Sequence, residues 1–245
     1  MIEILQWSTL AACGLVAIAR VPSALSGKNR TVFYIFALLT LATLLSIEAP
    51  YLAIDQALGG VNAANLLLRY VIFAAIFFVG VRITRGFGAD YAYRLLAGRI
   101  GTAVLALTSL AVLGVFLMMD TAGSSVGLVA VAGEDDRNAL LVQYYGAAGR
   151  AYPTYVSLVL LPSMVRAVRS TLPVLVRIAA FLLGAGSVAI AASLLFPFYP
   201  SNWGAAKFLV NYTAVLCFVF GLALIALARL RHGRGGPRLR TFTAK

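Results

Sequence analysis

One histidine, two cysteines and eight acidic side chains are all that 245 residues offer as imidazole, thiol or carboxylate groups. The histidine, His232, lies in a basic C-terminal stretch, so the apolar part of the chain has no imidazole to ligate a haem or a catalytic zinc. A Ser–His nucleophile is excluded for the same reason. Cys13 and Cys217 fall inside the first and last apolar runs without metal-ligand spacing, and they read as small buried hydrophobes. A retinal-type Schiff base needs a lysine midway along the last helix; Lys207 is too near one end, and its run carries no carboxylate. With so few titratable groups the expectation is a protein that is not an enzyme and binds no cofactor.

Charge is scarce too, at 11% of residues, and what fills the chain is apolar: 62% is hydrophobic, above the share of an ordinary soluble domain. Seven apolar runs cover about 3–20, 31–54, 61–85, 97–119, 138–168, 171–196 and 203–230. Most reach the ~20 residues that a helix needs to cross ~30 Å of hydrocarbon. Together they leave no room for a soluble catalytic domain. The expected fold class is all-α: a polytopic membrane protein of seven transmembrane helices over residues 1–231, with a disordered basic tail over 232–245.

The basic residues are sorted by side. Arg20, Lys28 and Arg30; Arg82, Arg85, Arg94 and Arg99; Arg166, Arg169 and Arg177; and six from Arg229 to Lys245 all fall in alternate connections or the tail, sixteen of the twenty. Seven of the eight acids, Glu3, Glu48, Asp55, Asp120, Glu134, Asp135 and Asp136, belong to the opposite side. Lys and Arg are retained in the cytoplasm during insertion, which predicts the N-terminus outside and the C-terminus inside. The net charge of +12 is then topological, anchoring basic loops to anionic inner-leaflet lipid; a basic folded face for nucleic acid is missing. The first run is followed, not preceded, by its positive charges, as in a retained anchor rather than a cleaved signal peptide. Arg outnumbers Lys seventeen to three, a bias associated with high-GC bacterial or phage genes, and the expected location is a bacterial plasma membrane.

Along the chain, the first helix is expected to end at Val21-Pro22, because proline disfavours a helical residue before it. The second is expected as one helix from Thr31 to about Ile54, with Glu48 and Pro50 near its outer end. Gly59-Gly60 makes a turn and Asn62 a cap for the third helix. Asp90 to Leu96 has the pattern of a short amphipathic interfacial helix, and Leu128 to Ala132, too short to span, that of a flap or interfacial patch. The fifth run carries Gly146, Gly149, Pro153 and Pro162, and either kinks or starts late, near Tyr152. Phe196 to Trp203 reads as an aromatic outer turn. Residues 63–70 and 205–212 echo one another, as a 3+1+3 parallel repeat would require.

Four cations break the charge rule. Arg137 is an outer-loop charge, whereas Arg69, Arg150 and Lys207 lie within apolar runs. An ionisable group in a span costs ~2.5–3.5 kcal/mol at the bilayer centre, so each needs a partner or a wet cavity. On a straight second helix Glu48 would sit ~9–12 Å deep, level with Arg69, so an ion pair is expected, serving either as a static register pin or in function. Gln143, Tyr144, Tyr145, Arg150, Tyr152, Lys207, Asn211 and Tyr212 recur at that depth and would line an outward-facing cavity. The competing reading is that Arg150 and Lys207 snorkel to the interface. The candidate ligand-binding set is thus Glu48, Arg69, Arg150, Lys207, Asn211 and Tyr212.

The stretch Pro50 to Gly80, with Asp55, Gly59-Gly60, Asn62, Asn65 and the following leucine-rich helix, resembles actinobacterial and prophage seven-helix membrane proteins. Arg166 to Ile178 is similar to their basic turn between helices five and six. The resemblance implies an integral membrane protein of the kind catalogued as transporters of unknown function, and implies no catalytic residues. The sugar-efflux (SWEET) transporters share only the topology. The leading expectation is a protein that senses or transports a small polar or anionic solute; the alternative is a phage or prophage factor acting on a host membrane protein. Its partners would be lipid, a solute, and a membrane or cytosolic protein.

Overall fold

The computed structural model describes residues 2–27 and 30–195, and within the last run 209–210, 213–214, 216–218, 220–221, 224–225 and 228. All regular structure among them is helical: α1 (Ile2–Leu25), α2 (Arg30–Leu44), α3 (Glu48–Ala57), α4 (Ala63–Gly86), α5 (Asp90–Ala97), α6 (Arg99–Met118), α7 (Val129–Glu134), α8 (Asp136–Val168) and α9 (Val174–Ser193), with a 3-10 turn at Val126–Leu128. Four of these segments are long and apolar enough to cross a membrane: Gln6–Leu25 of α1, α4, α6 and α9; α2 with α3 makes a fifth if a bent pair counts as one span. The chain is a multi-pass, largely hydrophobic membrane protein. The described residues of the last run are helical, whereas the expected aromatic turn at 196–203, the second half of the echo at 205–212 and the tail over 232–245 lie outside the described residues.

The chain divides into two compact units, 1–82 with 103–149, and 83–102 with 150–245. In the first, α1 lies along α2, with Gly14 opposite Thr40. Helix α1 continues through Pro22 to Leu25 instead of stopping before it. A proline this close to a helix end removes one bond from an already fraying turn, a small penalty.

The run 31–54 is not one helix. α2 stops at Leu44 and α3 starts at Glu48, turned by 92°. In an unbroken helix the Pro50 ring would collide with the carbonyl of Ser46, four residues earlier; as the third residue of α3, Pro50 needs no N–H. Upstream, Thr40, Thr43 and Ser46 return their hydroxyls to the carbonyls of Phe36, Leu39 and Ala42 at 2.7, 2.8 and 2.7 Å, bonds that bend helices. Beyond the break Leu45, Tyr51 and Ala64 are fully buried, with Leu41, Leu68 and Val126 packed on them. The expected flap is packed down by Leu128 and Val131, both buried, while Val129 faces out.

In the second unit α5 is the expected amphipathic helix: Ala92 and Leu96 are buried and Tyr91 is exposed. The fifth run is a single helix, α8, passing through both Pro153 and Pro162. Apolar α9 meets the last run where side chains vanish. A Cβ on Gly186 would come within 2.9 Å of Phe218, and one on Gly221 within 2.8 Å of Leu183 and 3.2 Å of the Ala179 carbonyl. Small residues let membrane helices approach this closely.

Candidate functional site

Helix α3 ends at Ala57, and the chain reverses through Gly59 and Gly60, both at positive φ, into Asn62, which adopts the left-handed φ of 57°. This turn places the Asp55 carboxylate over the start of α4. Its Oδ1 accepts the Ala64 N–H at 2.9 Å and its Oδ2 the Asn62 N–H at 3.0 Å. The Ser124 hydroxyl also donates to Oδ2. A fully buried carboxylate is thereby held where helix N–H groups lack partners and the helix dipole favours negative charge. Asp55 takes the capping task expected of Asn62.

The Asn62 side chain instead sews on the loop after α6. Its Oδ1 accepts the Tyr51 hydroxyl at 3.0 Å and the Ser125 N–H at 2.9 Å. Its Nδ2 donates to the carbonyls of Thr121 and Gly123 at 3.1 and 2.7 Å. All four hydrogen-bonding positions of the amide are used. The node joins α3, the start of α4 and residues 121–125 at the end of α4 remote from Arg85.

Further along α4 the polar groups change character. Asn65 and Arg69 are one helical turn apart and share a face, ~6 Å from each other along the axis. The Arg69 guanidinium carbon lies 5.2 Å from the centre of the Tyr145 ring on α8. One turn past Tyr145 is Gly149, where a Cβ would come within 3.0 Å of Arg69 Cδ and 3.1 Å of Nε. The absent side chain is what lets the guanidinium lie along α8. Asn65 Oδ1, Arg69 Nε and the Tyr145 hydroxyl are buried without a hydrogen-bond partner. Asn65 is 3% exposed and Tyr145 1%. One cationic donor and one hydroxyl thus meet, with a carbonyl acceptor one helical turn away on α4, and between them they could accept an anionic or polar guest.

Of the expected ligand-binding set, Arg69 alone among the described residues occupies this place, together with Tyr145 from the expected lining. Glu48 is exposed at the first turn of α3 and forms no ion pair with Arg69. The reason is the break at 45–47, which takes Glu48 off the line of α2 and out of the depth that a straight helix would give it. Arg150 is half-buried on α8 and belongs to the second unit, as does the fully buried Tyr152. Lys207, Asn211 and Tyr212 lie outside the described residues. Gln143 and Tyr144 are exposed, while their neighbour Tyr145 turns inward.

Sequence reasoning gave no role to Ser124, read Gly149 only as a possible kink, placed Asp55 in an outer turn, named Asn65 only within the resemblance, and left Tyr145 as general lining. The four-residue spacing of Asn65 and Arg69 was a usable signal. Nothing local announces that Tyr145 and Gly149 meet them. No family model matches the chain, and no curated protein or solved structure matches it either.

Proposed function

We propose that this chain is a seven-span bacterial plasma-membrane protein, N-terminus outside and C-terminus inside, that binds a small polar or anionic solute at Arg69 in order to transport or sense it. The resemblance to actinobacterial seven-helix proteins points to the same class. The observation that carries the reading is Arg69 itself. It brings a fixed positive charge into an apolar helix, about 9 Å past the start of α4, with no carboxylate among the described residues paired to it. Beside it, Asn65 Oδ1 and the Tyr145 hydroxyl hold unused hydrogen-bonding capacity. An anion with a hydrogen-bonding group would satisfy all three, and the expense of burying the charge becomes the driving force for binding. The Asp55–Asn62 node supports the start of α4 and so keeps the Asn65 and Arg69 face in place.

The test is thermal unfolding of the purified protein in detergent with chloride, inorganic phosphate, acetate or lactate. A binding anion at about 100 times its Kd adds about 2.7 kcal/mol and raises the unfolding midpoint of the wild type. Arg69→Gln abolishes the rise, and Arg69→Lys keeps only part of it, because the ammonium lacks the planar fork that stacks on Tyr145. The reading fails if none of these anions shifts the wild type, or if Arg69→Gln responds as strongly. Uptake of the stabilising anion into proteoliposomes then separates transport from sensing.

A further inference from the structure

The second unit holds another polar constellation, independent of Arg69. Helix α5 is tied to α8 by the Tyr155 hydroxyl, which donates to the Leu95 carbonyl at 2.7 Å. Between the two helices lies a cleft of about 440 Å³, within the size range of small-molecule sites. Its walls are largely apolar, with Leu95, Leu158, Val159 and Pro162 among them. Two charged side chains line it, Asp90 in the first turn of α5 and Arg166 in the last turn of α8. Both are exposed, and they do not pair with each other. Beside them Tyr91 is 68% exposed on an amphipathic helix, the arrangement of an aromatic at a membrane–water interface.

An apolar-walled cleft with one unpaired anion and one unpaired cation is complementary to a zwitterion attached to a hydrocarbon chain. We infer that the α5–α8 cleft is a binding site for a phospholipid with a primary-amine headgroup, phosphatidylethanolamine. Arg166 takes the phosphate, Asp90 takes the ammonium, and an acyl chain lies along Leu158, Val159 and Pro162. A glycerol headgroup brings no cation to Asp90, and a choline headgroup brings a cation without an N–H to donate. Either loses one charge-assisted hydrogen bond, which corresponds to a preference of about tenfold or more for the ethanolamine lipid.

The experiment is native mass spectrometry of the full chain released from micelles doped with equal amounts of dioleoyl phosphatidylethanolamine, phosphatidylcholine and phosphatidylglycerol. The wild type is expected to retain the ethanolamine lipid about tenfold over the other two. Asp90→Asn erases the preference over phosphatidylglycerol while lipid is still retained, and Arg166→Gln loses retention of all three. Asp90→Glu and Arg166→Lys keep the order, which separates a lost site from a misfolded protein. Equal retention of the three lipids by the wild type overturns the inference. So does an unchanged order in Asp90→Asn and Arg166→Gln with only the melting temperature altered, since the two charges then merely complement the ends of their helices.

Discussion

At the scale of single residues, Asn62 and Asp55 divide work that either could have done alone. An asparagine tolerates the left-handed region better than other non-glycine residues, so position 62 can turn the chain and still offer an amide to the neighbouring loop. Because all four of its hydrogen bonds are made, Asn62→Ala removes them together, leaves the Tyr51 hydroxyl and the Ser125 N–H without acceptors, and strains the backbone. The expected loss is about 2–4 kcal/mol in equilibrium unfolding in detergent. Asn62→Gly relieves the strain but not the lost bonds, so it is expected to recover only a fraction. Full recovery in Asn62→Gly would show that backbone conformation, not the side chain, matters there. Asp55 and Asn62 were both visible in the sequence as polar residues around a Gly-Gly turn, but which of them caps α4 is a matter of direction, and direction belongs to the folded turn.

Among the elements, the most informative are those whose pattern and geometry part company. Asp90 to Leu96 alternates apolar and polar residues with helical period, and α5 is there. Residues 31–54 are just as apolar and yet bend by 92°, since hydropathy is insensitive to a proline ring meeting a carbonyl four residues back. Contact between helices is equally invisible in hydropathy, and the glycines of α9 show it. Gly186 faces Phe218 and Cys217 within 3.1 Å of a would-be Cβ, whereas the neighbours of Gly184 stay 3.8 Å away. Gly186→Ala is therefore expected to destabilise by about 1–3 kcal/mol through overpacking, and Gly184→Ala to stay within about 1 kcal/mol. Unfolding of the two variants side by side in mixed detergent micelles tests this, and equal effects would contradict the close approach.

For the whole molecule, the decisive property is orientation. The sixteen-to-four division of Lys and Arg predicts that residues 119–138 lie outside and the turn between α8 and α9 inside. With Cys13 and Cys217 replaced by alanine, Ala122→Cys is expected to react with a membrane-impermeant maleimide in intact spheroplasts. Arg169→Cys is expected to react only after permeabilisation. Labelling in the reverse order would invert the topology and put the Asp55–Asn62 node on the cytoplasmic side.

By itself the sequence determined what depends on sums over many residues: an all-α chain, apolar enough for several membrane crossings, with its basic residues gathered in alternate connections. Insertion responds to such totals, and totals survive ignorance of the fold. It also marked Arg69 as out of place, because a charge in an apolar run is conspicuous without any contact being known. Only the tertiary structure decided what Arg69 touches, that Glu48 does not reach it, and that Asp55 rather than Asn62 holds the start of α4. Those outcomes turn on a proline's ring, a missing Cβ at Gly149 and the sense of one tight turn. Each is a short-range steric fact that average hydrophobicity cannot carry.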